Sequence, residues 1–301
     1  MRRLRYYTLD VFTDRAFGGN PLAVVFDGEQ LDANAMQAIA AEFNLSETVF
    51  VLPPTRPSAT RRVRIFTPRT ELPFAGHPTV GTAFLLATLG ECDLATPNPA
   101  LVLEEAVGDV HVAIRLAGGA VLGTQMSVPK MPARLSEAPP ADRVAEVLSL
   151  TSADLRPDIP PQSWSCGVPF LFVALNDAEA VRRAALRHES WARLLERSAA
   201  ANVFVFAFGE RAAEARIRAR MFAPGFGIPE DPATGAAVSA LAGCIANGLP
   251  DGRHAWVVEQ GVEMGRPSRL ELECEREGGG FVAVRVGGPS VRISEGVMSV
   301  G

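Results

Sequence analysis

Two stretches of the chain are apolar at almost every position, and both begin with a glycine. They read GHPTVGTAFLLATLG from Gly76 and GAAVSALAGCIANG from Gly235. A helix that presents apolar side chains on every side is typical of a buried helix rather than a surface one. Each stretch ends at a glycine, a common helix stop, and carries proline at or just before its start, where no N–H group is needed. The pattern predicts two helices that are buried all round.

Short apolar or alternating segments lie on both sides of these helices, separated by Gly, Pro and Asp, and they predict strands. Amphipathic segments predict further helices: one follows a capping Asp32, and those at 139–150 and 176–200 are expected on the outside of the second half. The predicted strands are RRLRYYTLDVF, PLAVVF, ETVFVLP and VRIFTP in the first half, and LFVAL, NVFVFAFG, HAWVVEQ, SRLELECE and FVAVRVGG in the second.

The two halves repeat the same order of features. RRVRIFTP ends at Pro68 and RARMFAP ends at Pro224, and both contain Arg-x-Phe-x-Pro. Gly76 follows the first of these prolines by eight residues, and Gly235 follows the second by eleven. Matching order and spacing indicate a duplicated unit, and the shared pattern makes chance similarity of short apolar segments the weaker reading.

The sequence therefore predicts a mixed α/β (α+β) fold of two pseudo-symmetric halves, each a curved sheet wrapped around one buried helix. The boundary is expected near Gly118, in RLAGGAVLG. It divides the chain into residues 1–117 and 118–288, and a C-terminal strand at about 289–301 is expected to return to the first half.

Composition narrows the classes of function. The chain has 301 residues, 48% of them hydrophobic, and a net charge of -5, which argues against a nucleic-acid surface with clustered Lys and Arg. The first residues lack the apolar core of a signal peptide, and no apolar stretch approaches the roughly 20 residues of a membrane span. A cytoplasmic location without nucleic-acid or membrane partners is expected.

Several chemistries lack their usual residues. The four cysteines form no CxxC pair and the four histidines show no HxxxH or HxH spacing, so no metal site is expected. Lys130 is the only lysine, which excludes a P-loop. No GxGxxG or GxSxG is present.

The starts of the two buried helices are the candidate binding site. A helix start has N–H groups without intrahelical partners and about half a positive charge, so two such starts facing each other between the halves predict a site for an anion. Gly76 and Gly235 would let a substrate carboxylate approach the backbone closely. The alternative is that Asp231 caps its own helix and nothing binds there.

Glu47, in NLSETVFVLP, is the candidate base. Strand alternation places it on a face with Leu45, Val49 and Val51, and desolvation among aliphatic side chains raises the pKa of a carboxyl toward the range useful for proton transfer. The alternative, a glutamate in solvent at the open end of its strand, is equally compatible with the pattern. Asn20, in GGNP, is either a turn residue or a substrate contact.

Five motifs in order, from Asp10 to the C-terminus, resemble the phenazine biosynthesis isomerase-like (PhzF-like) family. The resemblance implies the diaminopimelate epimerase fold, in which each barrel-like, mainly antiparallel sheet surrounds a central helix and the site lies between the halves. It also implies cofactor-free proton transfer on a small carboxylate, in a protein that is commonly a homodimer. The motifs are FGGNPLAVV, NLSETVFV, RIFTPRTELPFAGHPTVGTA, EDPATGAAVSAL and VEQGVEMGRPSRL.

The resemblance assigns roles to the candidate residues. Glu47 matches the glutamate that moves a proton between carbons, and His77 and Asp231 match residues that polarise or orient the substrate. Gly76 and Gly235 match the helix starts that receive its carboxylate, and the resemblance raises the weight of Asn20 as a substrate contact.

One position departs from the family. Ala236 stands where the family often has a serine that contacts substrate, which puts the phenazine precursor in doubt as the substrate. A racemase with two thiol bases is excluded because neither helix start carries a cysteine, and Cys244 lies more than two turns into the second helix. The prediction is an isomerase acting on a small cyclic or unsaturated carboxylic acid. The alternatives are an epimerase or related proton-transfer enzyme on another acid, or a non-catalytic binding protein that kept the pocket.

Overall fold

Strands form most of the regular structure of the chain. The computed structural model describes residues 1–135, 138–209 and 215–301. The strands are β1 (Arg2–Val11), β2 (Asn20–Val25), β3 (Glu47–Leu52), β4 (Arg61–Phe66), β5 (Glu71–Leu72), β6 (Ala100–Glu105), β7 (Gly108–Ala117), β8 (Ala120–Ser127), β9 (Ala133–Arg134), β10 (Gln162–Ser165), β11 (Pro169–Ala174), β12 (Asn202–Phe208), β13 (Arg216–Ala223), β14 (Ile228–Asp231), β15 (Gly252–Gln260), β16 (Ser268–Glu277), β17 (Gly280–Gly288) and β18 (Ser290–Val300). The α-helices are α1 (Ala33–Phe43), α2 (Gly76–Thr88), α3 (Ala141–Val147), α4 (Ala178–Arg183), α5 (His188–Leu194) and α6 (Gly235–Ala246). None of the helices in the described part of the chain is long and apolar enough to span a membrane.

The chain divides into two units. The first comprises residues 1–129 and 286–301, and the second comprises residues 130–285. The last strand, β18, pairs antiparallel with β1 in the first unit. Near the predicted boundary, Gly118 and Gly119 instead form the turn of the β7–β8 hairpin, where Ala117 pairs with Ala120. Both glycines have positive φ, 58° and 83°, as a two-residue hairpin turn of the primed type requires.

Both units have the same order of strand pairing. In the first, β1–β2 is antiparallel, β2–β3 parallel, β3–β4 antiparallel, β4–β6 parallel and β6–β7 antiparallel. In the second, β10–β11, β11–β12, β12–β13, β13–β15 and β15–β16 follow the identical alternation. The short strand before each buried helix, β5 or β14, pairs antiparallel with β4 or β13. The predicted duplication is therefore present in the backbone pairing itself.

The two apolar helices are buried as predicted. Every residue of α2 from Gly76 to Ala87 is buried, and α2 packs against β1, β2, β3, β7 and β8. In α6, nine of the twelve residues are buried, and the helix packs against β10, β11 and β16. An apolar surface all round a helix is stable only where strands cover each side, since each buried Val, Leu or Phe side chain contributes about 1.5 to 3 kcal/mol.

The outer helices pack on the other face of the strands. Asp32 caps α1, since its Oδ1 accepts a hydrogen bond from the Ala35 N–H at 2.8 Å, and the buried face of α1 packs on Phe50 and Phe66. In the second unit α3, α4 and α5 pack their apolar faces on β11 and β12, with Trp191 of α5 buried.

The amphipathic segment at 176–200 forms two helices instead of a continuous one. The helical backbone ends at Ala184, where ψ is 129°. The N–H groups of Ala185 and Arg187 then donate to the carbonyls of Leu148 and Val147 at the end of α3. These hydrogen bonds to another helix replace those that would have continued α4.

Glycines inside both central helices allow the helices to touch the strands closely, which gives a stability prediction. A Cβ at Gly81 would lie 2.5 Å from Val11 Cγ2 and 2.7 Å from Leu22 Cδ2, and a Cβ at Gly243 would lie 2.3 Å from the Trp164 ring. We expect Gly81→Ala and Gly243→Ala each to lower the free energy of unfolding by about 1 to 3 kcal/mol, because overpacking a dense core forces its neighbours to shift. Urea denaturation followed by fluorescence measures the change.

The matched control is Gly248→Ala, because a Cβ there has no neighbour within 4 Å. Equal unfolding midpoints for Gly248→Ala and the two buried variants would contradict the close packing.

Candidate active site

Glu47, His77 and Asn20 come together in the first unit. Asn20 begins β2 and Glu47 begins β3, and because these strands are parallel, with Leu22 opposite Glu47, both side chains lie at the same end of the sheet. Gly76 begins α2, which brings His77 to that end. His77 Nε2 lies 3.3 Å from Glu47 Oε2, and His77 Nδ1 lies 3.4 Å from Asn20 Nδ2.

All three side chains are shielded from solvent. Asn20 is 0% exposed and His77 is 5% exposed, and the Glu47 side chain is 13% exposed. The sequence left open whether Glu47 is shielded among other side chains or exposed to solvent at the end of its strand. The structure shows a largely shielded side chain. Asn20 is more than a turn residue, since it lies in the strand and contacts the histidine ring.

Burial keeps His77 neutral. Desolvation lowers the pKa of His77 from its ordinary 6.5 to about 3, and a hydrogen bond to the Pro21 backbone opposes this only in part. At neutral pH the contact with Glu47 therefore joins a carboxyl group to a neutral imidazole and is not an ion pair. A neutral ring can accept a hydrogen bond at one nitrogen while it donates at the other.

The first turn of α2 has no side-chain cap. Its N-cap residue is Ala75, which has extended backbone and no polar side chain. The first N–H groups of this helix therefore lack the cap that Ser, Thr, Asp or Asn would supply, in the turn whose His77 contacts Glu47. Such a helix start favours a negative group.

The start of α6, in the second unit, is built differently. Its N-cap is Thr234, whose hydroxyl donates to Asp231 Oδ2 at 2.6 Å. Asp231 is buried at the end of β14, and Gly235 and Ala236 are the first helical residues.

Gln260 completes this arrangement, and the sequence reasoning did not identify it. Its Nε2 donates to the Asp231 carbonyl at 2.7 Å and to Thr234 Oγ1 at 3.0 Å, and its Oε1 accepts from the Thr234 N–H at 3.2 Å. The signal was a polar residue at the end of strand β15, after Val257, Val258 and Glu259, within the motif VEQGVEMGRPSRL.

The predicted residues thus fall into two sets. Asn20, Glu47, Gly76 and His77 belong to the first unit, and Asp231, Gly235 and Ala236 belong to the second. Contacts bring together Asn20, Glu47 and His77 within the first set. That the two sets together form one substrate-binding site stays a prediction.

The cysteines lie away from the helix starts, and burial keeps their thiols protonated. Cys244 lies in the third turn of α6, and burial raises the pKa of Cys244 and of Cys166 to about 12. A protonated thiol is a poor base or nucleophile. Among the described residues no three His, Cys, Asp or Glu side chains form a cluster that could hold a metal ion.

Comparison with known proteins finds relatives that match along essentially the whole chain. An uncharacterized isomerase of Mesorhizobium japonicum is 40% identical over the whole of both chains. The trans-2,3-dihydro-3-hydroxyanthranilate isomerase of Pseudomonas aeruginosa is 36% identical, over 97% of this chain and 98% of its own. The crystal structure of a PhzF-family phenazine biosynthesis protein of Bacillus anthracis superposes with a TM-score of 0.85 at 23% identity, over 100% of both chains.

The fold class predicted from the sequence is confirmed by the structural likeness, which covers both units. The profile of the phenazine biosynthesis-like proteins (PhzC-PhzF) matches residues 9–296. Both of these relatives, 40% and 36% identical along the chain, are named isomerases. With them and with this family match, the protein belongs to the PhzF-like family of enzymes.

Proposed function

We propose that the protein is a cofactor-independent isomerase that moves a proton between carbons of a small cyclic or unsaturated carboxylic acid, as trans-2,3-dihydro-3-hydroxyanthranilate isomerases do. The observation that carries the proposal is the contact between Glu47 and the neutral His77 beside the start of α2. The names of relatives at 36% and 35% identity support the reaction class. The cytoplasmic location expected from the sequence and the homodimer implied by the family resemblance stay predictions.

Glu47 is the proton carrier in this proposal. His77 Nε2 faces Glu47 Oε2 at 3.3 Å, and His77 Nδ1 faces Asn20 Nδ2 at 3.4 Å. Beside the neutral ring, the Glu47 carboxyl group can take a proton from one carbon and return it to another. A positioned acid or base of this kind contributes about 10²- to 10⁴-fold in rate.

The helix starts are the proposed carboxylate-binding groups. The N–H groups of the first turn of α2 have no side-chain cap, and His77 of the same turn contacts the proposed base. In the second unit Gly235 and Ala236 begin α6, and Asp231, held by Thr234, is proposed to orient the substrate.

A second candidate is an epimerase or related proton-transfer enzyme acting on another acid. The observation that favours it is Ala236, a partly exposed residue at the start of α6 that has no hydroxyl group. A substrate that needs no hydrogen bond at that point would suit this chain better than the phenazine precursor.

The proton-carrier role predicts the behaviour of Glu47→Gln. With trans-2,3-dihydro-3-hydroxyanthranilate or a panel of cyclic carboxylic acids in deuterated water, we expect wild type to incorporate deuterium and Glu47→Gln to be slower by about 10²- to 10⁴-fold. Mass spectrometry of the recovered acid measures incorporation.

The matched control is Glu91→Gln, which removes a carboxylate of the same unit that pairs with Arg61. It should retain the wild-type rate. No exchange by wild type on any acid, or equal exchange by Glu47→Gln, would exclude the isomerase proposal.

The role of Ala236 predicts a gain from a single substitution. Ala236→Ser restores the family hydroxyl, and a hydrogen bond to a charged group contributes about 1.5 to 3 kcal/mol. We expect kcat/KM on trans-2,3-dihydro-3-hydroxyanthranilate to rise at least about tenfold, whereas Ala236→Gly, which adds no hydroxyl, should not raise it. A rise in both variants, or in neither, contradicts the role of the missing serine.

The neutral state of His77 predicts an acid limit to stability. Because the pKa of His77 is about 3 in the folded protein and 6.5 ordinarily, the unfolded chain binds the proton first. The stabilisation is complete above pH 6.5 and is lost as pH falls toward 3, by up to about 1.4 kcal/mol per pH unit. Urea denaturation at a series of pH values measures the slope.

His77→Gln should remove this part of the slope, and His111→Gln, at an exposed position, should leave it unchanged. Direct NMR titration of the ring gives an independent check. A His77 ring that becomes protonated near pH 6.5 would refute the neutral-imidazole role.

A further inference from the structure

A second buried carboxyl group lies at the start of α2 and has no part in the proposed proton transfer. Glu105, the last residue of β6, is 5% exposed. Its Oε1 lies 2.6 Å from the hydroxyl oxygen of Thr79 in the first turns of α2. The same hydroxyl oxygen lies 2.7 Å from the carbonyl oxygen of Ala75, the N-cap residue of the helix.

The number of protons in this group of three oxygens decides the state of Glu105. A carbonyl oxygen only accepts, a carboxylate only accepts, and a threonine hydroxyl donates one proton. With an ionised Glu105, the Thr79 hydroxyl would satisfy one of its two neighbours and leave the other oxygen at contact distance with no proton between them. With a protonated Glu105, the acid donates to Thr79, Thr79 donates to Ala75, and both short contacts are hydrogen bonds.

The charged groups around Glu105 do not compensate an ionised form. In the part of the chain that the structure describes, no arginine lies within ion-pair distance of it. Arg62, Arg64 and Glu71 line a cavity next to Glu105, but Arg64 and Glu71 bind each other through two bonds of 2.7 Å. Glu104 on the same strand lines the cavity too and adds negative charge.

The remaining charged neighbours are bound to other groups and supply no positive charge to Glu105. Glu104 is held by the Thr55 N–H at 2.8 Å, Asp109 on β7 pairs with Arg56 at 2.9 Å, and the titratable group of α2 is the neutral His77. Burial therefore raises the pKa of Glu105 from its ordinary 4.5 to about 8, with the Thr79 hydrogen bond opposing the rise only in part.

We propose that Glu105, in its protonated form, is a positioning residue for the first turn of α2: it donates to Thr79, and Thr79 in turn holds the Ala75 carbonyl. When Glu105 loses its proton, the carboxylate takes the Thr79 hydrogen bond away from Ala75, and the turn that carries Gly76 and His77 loses that support. The consequence for substrate binding rests on the proposed function, whereas the movement of the turn does not.

The first test follows the protein without any substrate. In wild type, NMR of ¹³C-labelled glutamate carboxyl groups should show Glu105 titrating with a midpoint near 8, and the ¹⁵N amide signals of Gly76, His77 and Thr79 should shift with the same midpoint. Glu105→Gln should abolish the amide shifts, because its amide donates to Thr79 at every pH. The matched control Glu104→Gln, at the adjacent residue of β6, should retain them.

Variants at Thr79 test the relay itself and do not depend on the folding of Glu105→Gln. Thr79→Val removes the hydroxyl, so Glu105 should still titrate while the Gly76 and His77 amides no longer respond. Thr79→Ser keeps the hydroxyl and should restore the response. A titration of Glu105 near its ordinary 4.5, or amide signals in wild type that do not move between pH 6.5 and 9.5, would overturn the proposal.

Stability measurements give a second readout with a defined window. Since Glu105 holds its proton more tightly in the folded state, the unfolding equilibrium constant of wild type relative to Glu105→Gln should rise up to tenfold per pH unit between 4.5 and about 8. Above pH 8 the ratio should be constant. A ratio that stays constant over the whole range would contradict a protonated Glu105.

The kinetic arm joins the proposal to the reaction. With trans-2,3-dihydro-3-hydroxyanthranilate, KM of wild type should rise several-fold from pH 7 to 9, while KM of Glu105→Gln stays constant. If wild type does not turn over this acid, the proposed function fails for it, but the NMR titration still decides the role of Glu105. If both proteins turn over the acid and their KM values depend on pH in the same way, Glu105 has no role in substrate binding. The NMR result on the positioning of the turn would still stand.

Discussion

The burial of α2 on every side sets the conditions under which all polar groups around its first turn act. Strands of the first unit cover the whole length of the helix, so water does not reach the groups that lie against it. Desolvation then disfavours every charged form. His77 is held neutral and Glu105 is held protonated for this same reason, and a helix start without a cap becomes a place where a ligand's negative charge is favoured.

The pairing of parallel strands explains why the proposed base lies next to the histidine. β2 and β3 run in the same direction, so the residues that begin them meet at one end of the sheet, and α1 provides the crossover between them. Asn20 and Glu47 are 27 positions apart in the chain, but both contact His77. The second unit repeats the parallel pair in β11 and β12, with α4 and α5 in place of α1.

The buried helices, the duplicated units and the cap of α1 could be predicted from the sequence because each depends on a local pattern of residues. Wholly apolar segments predicted the two buried helices, the repeated Arg-x-Phe-x-Pro predicted the duplicated pairing, and Asp32 predicted a cap. Burial of Glu47 was left open by the pattern, since a strand end is compatible with both environments. Resemblance to a family, and not periodicity, connected Glu47 with His77 and Asn20.

What the sequence did not predict depends on contacts between distant segments. The two glycines at 118 and 119 are typical of a domain linker and of a hairpin turn alike, and the register of β7 with β8 decides for the turn. Nothing in residues 184–187 stops a helix, and α4 ends because the carbonyls of α3 accept the next N–H groups. In LEEAV, the adjacent Glu104 and Glu105 look equivalent, but strand alternation directs only Glu105 toward Thr79.

The two helix starts, although products of one duplication, satisfy their hydrogen bonds by different chemistry. At α6, Gln260 supplies two donors and one acceptor, and the Thr234 hydroxyl donates to Asp231. Each of these contacts has one donor and one acceptor.

At α2 the contacts of the Thr79 hydroxyl each have one donor and one acceptor only when Glu105 is protonated. The Thr79 hydroxyl has one proton for two neighbouring oxygens, Glu105 Oε1 and the Ala75 carbonyl oxygen, and that carbonyl also accepts the Thr79 N–H at 3.3 Å. The proposed protonation of Glu105 thus supplies a donor at the first helix start, whereas Gln260 and Thr234 supply the donors at the second.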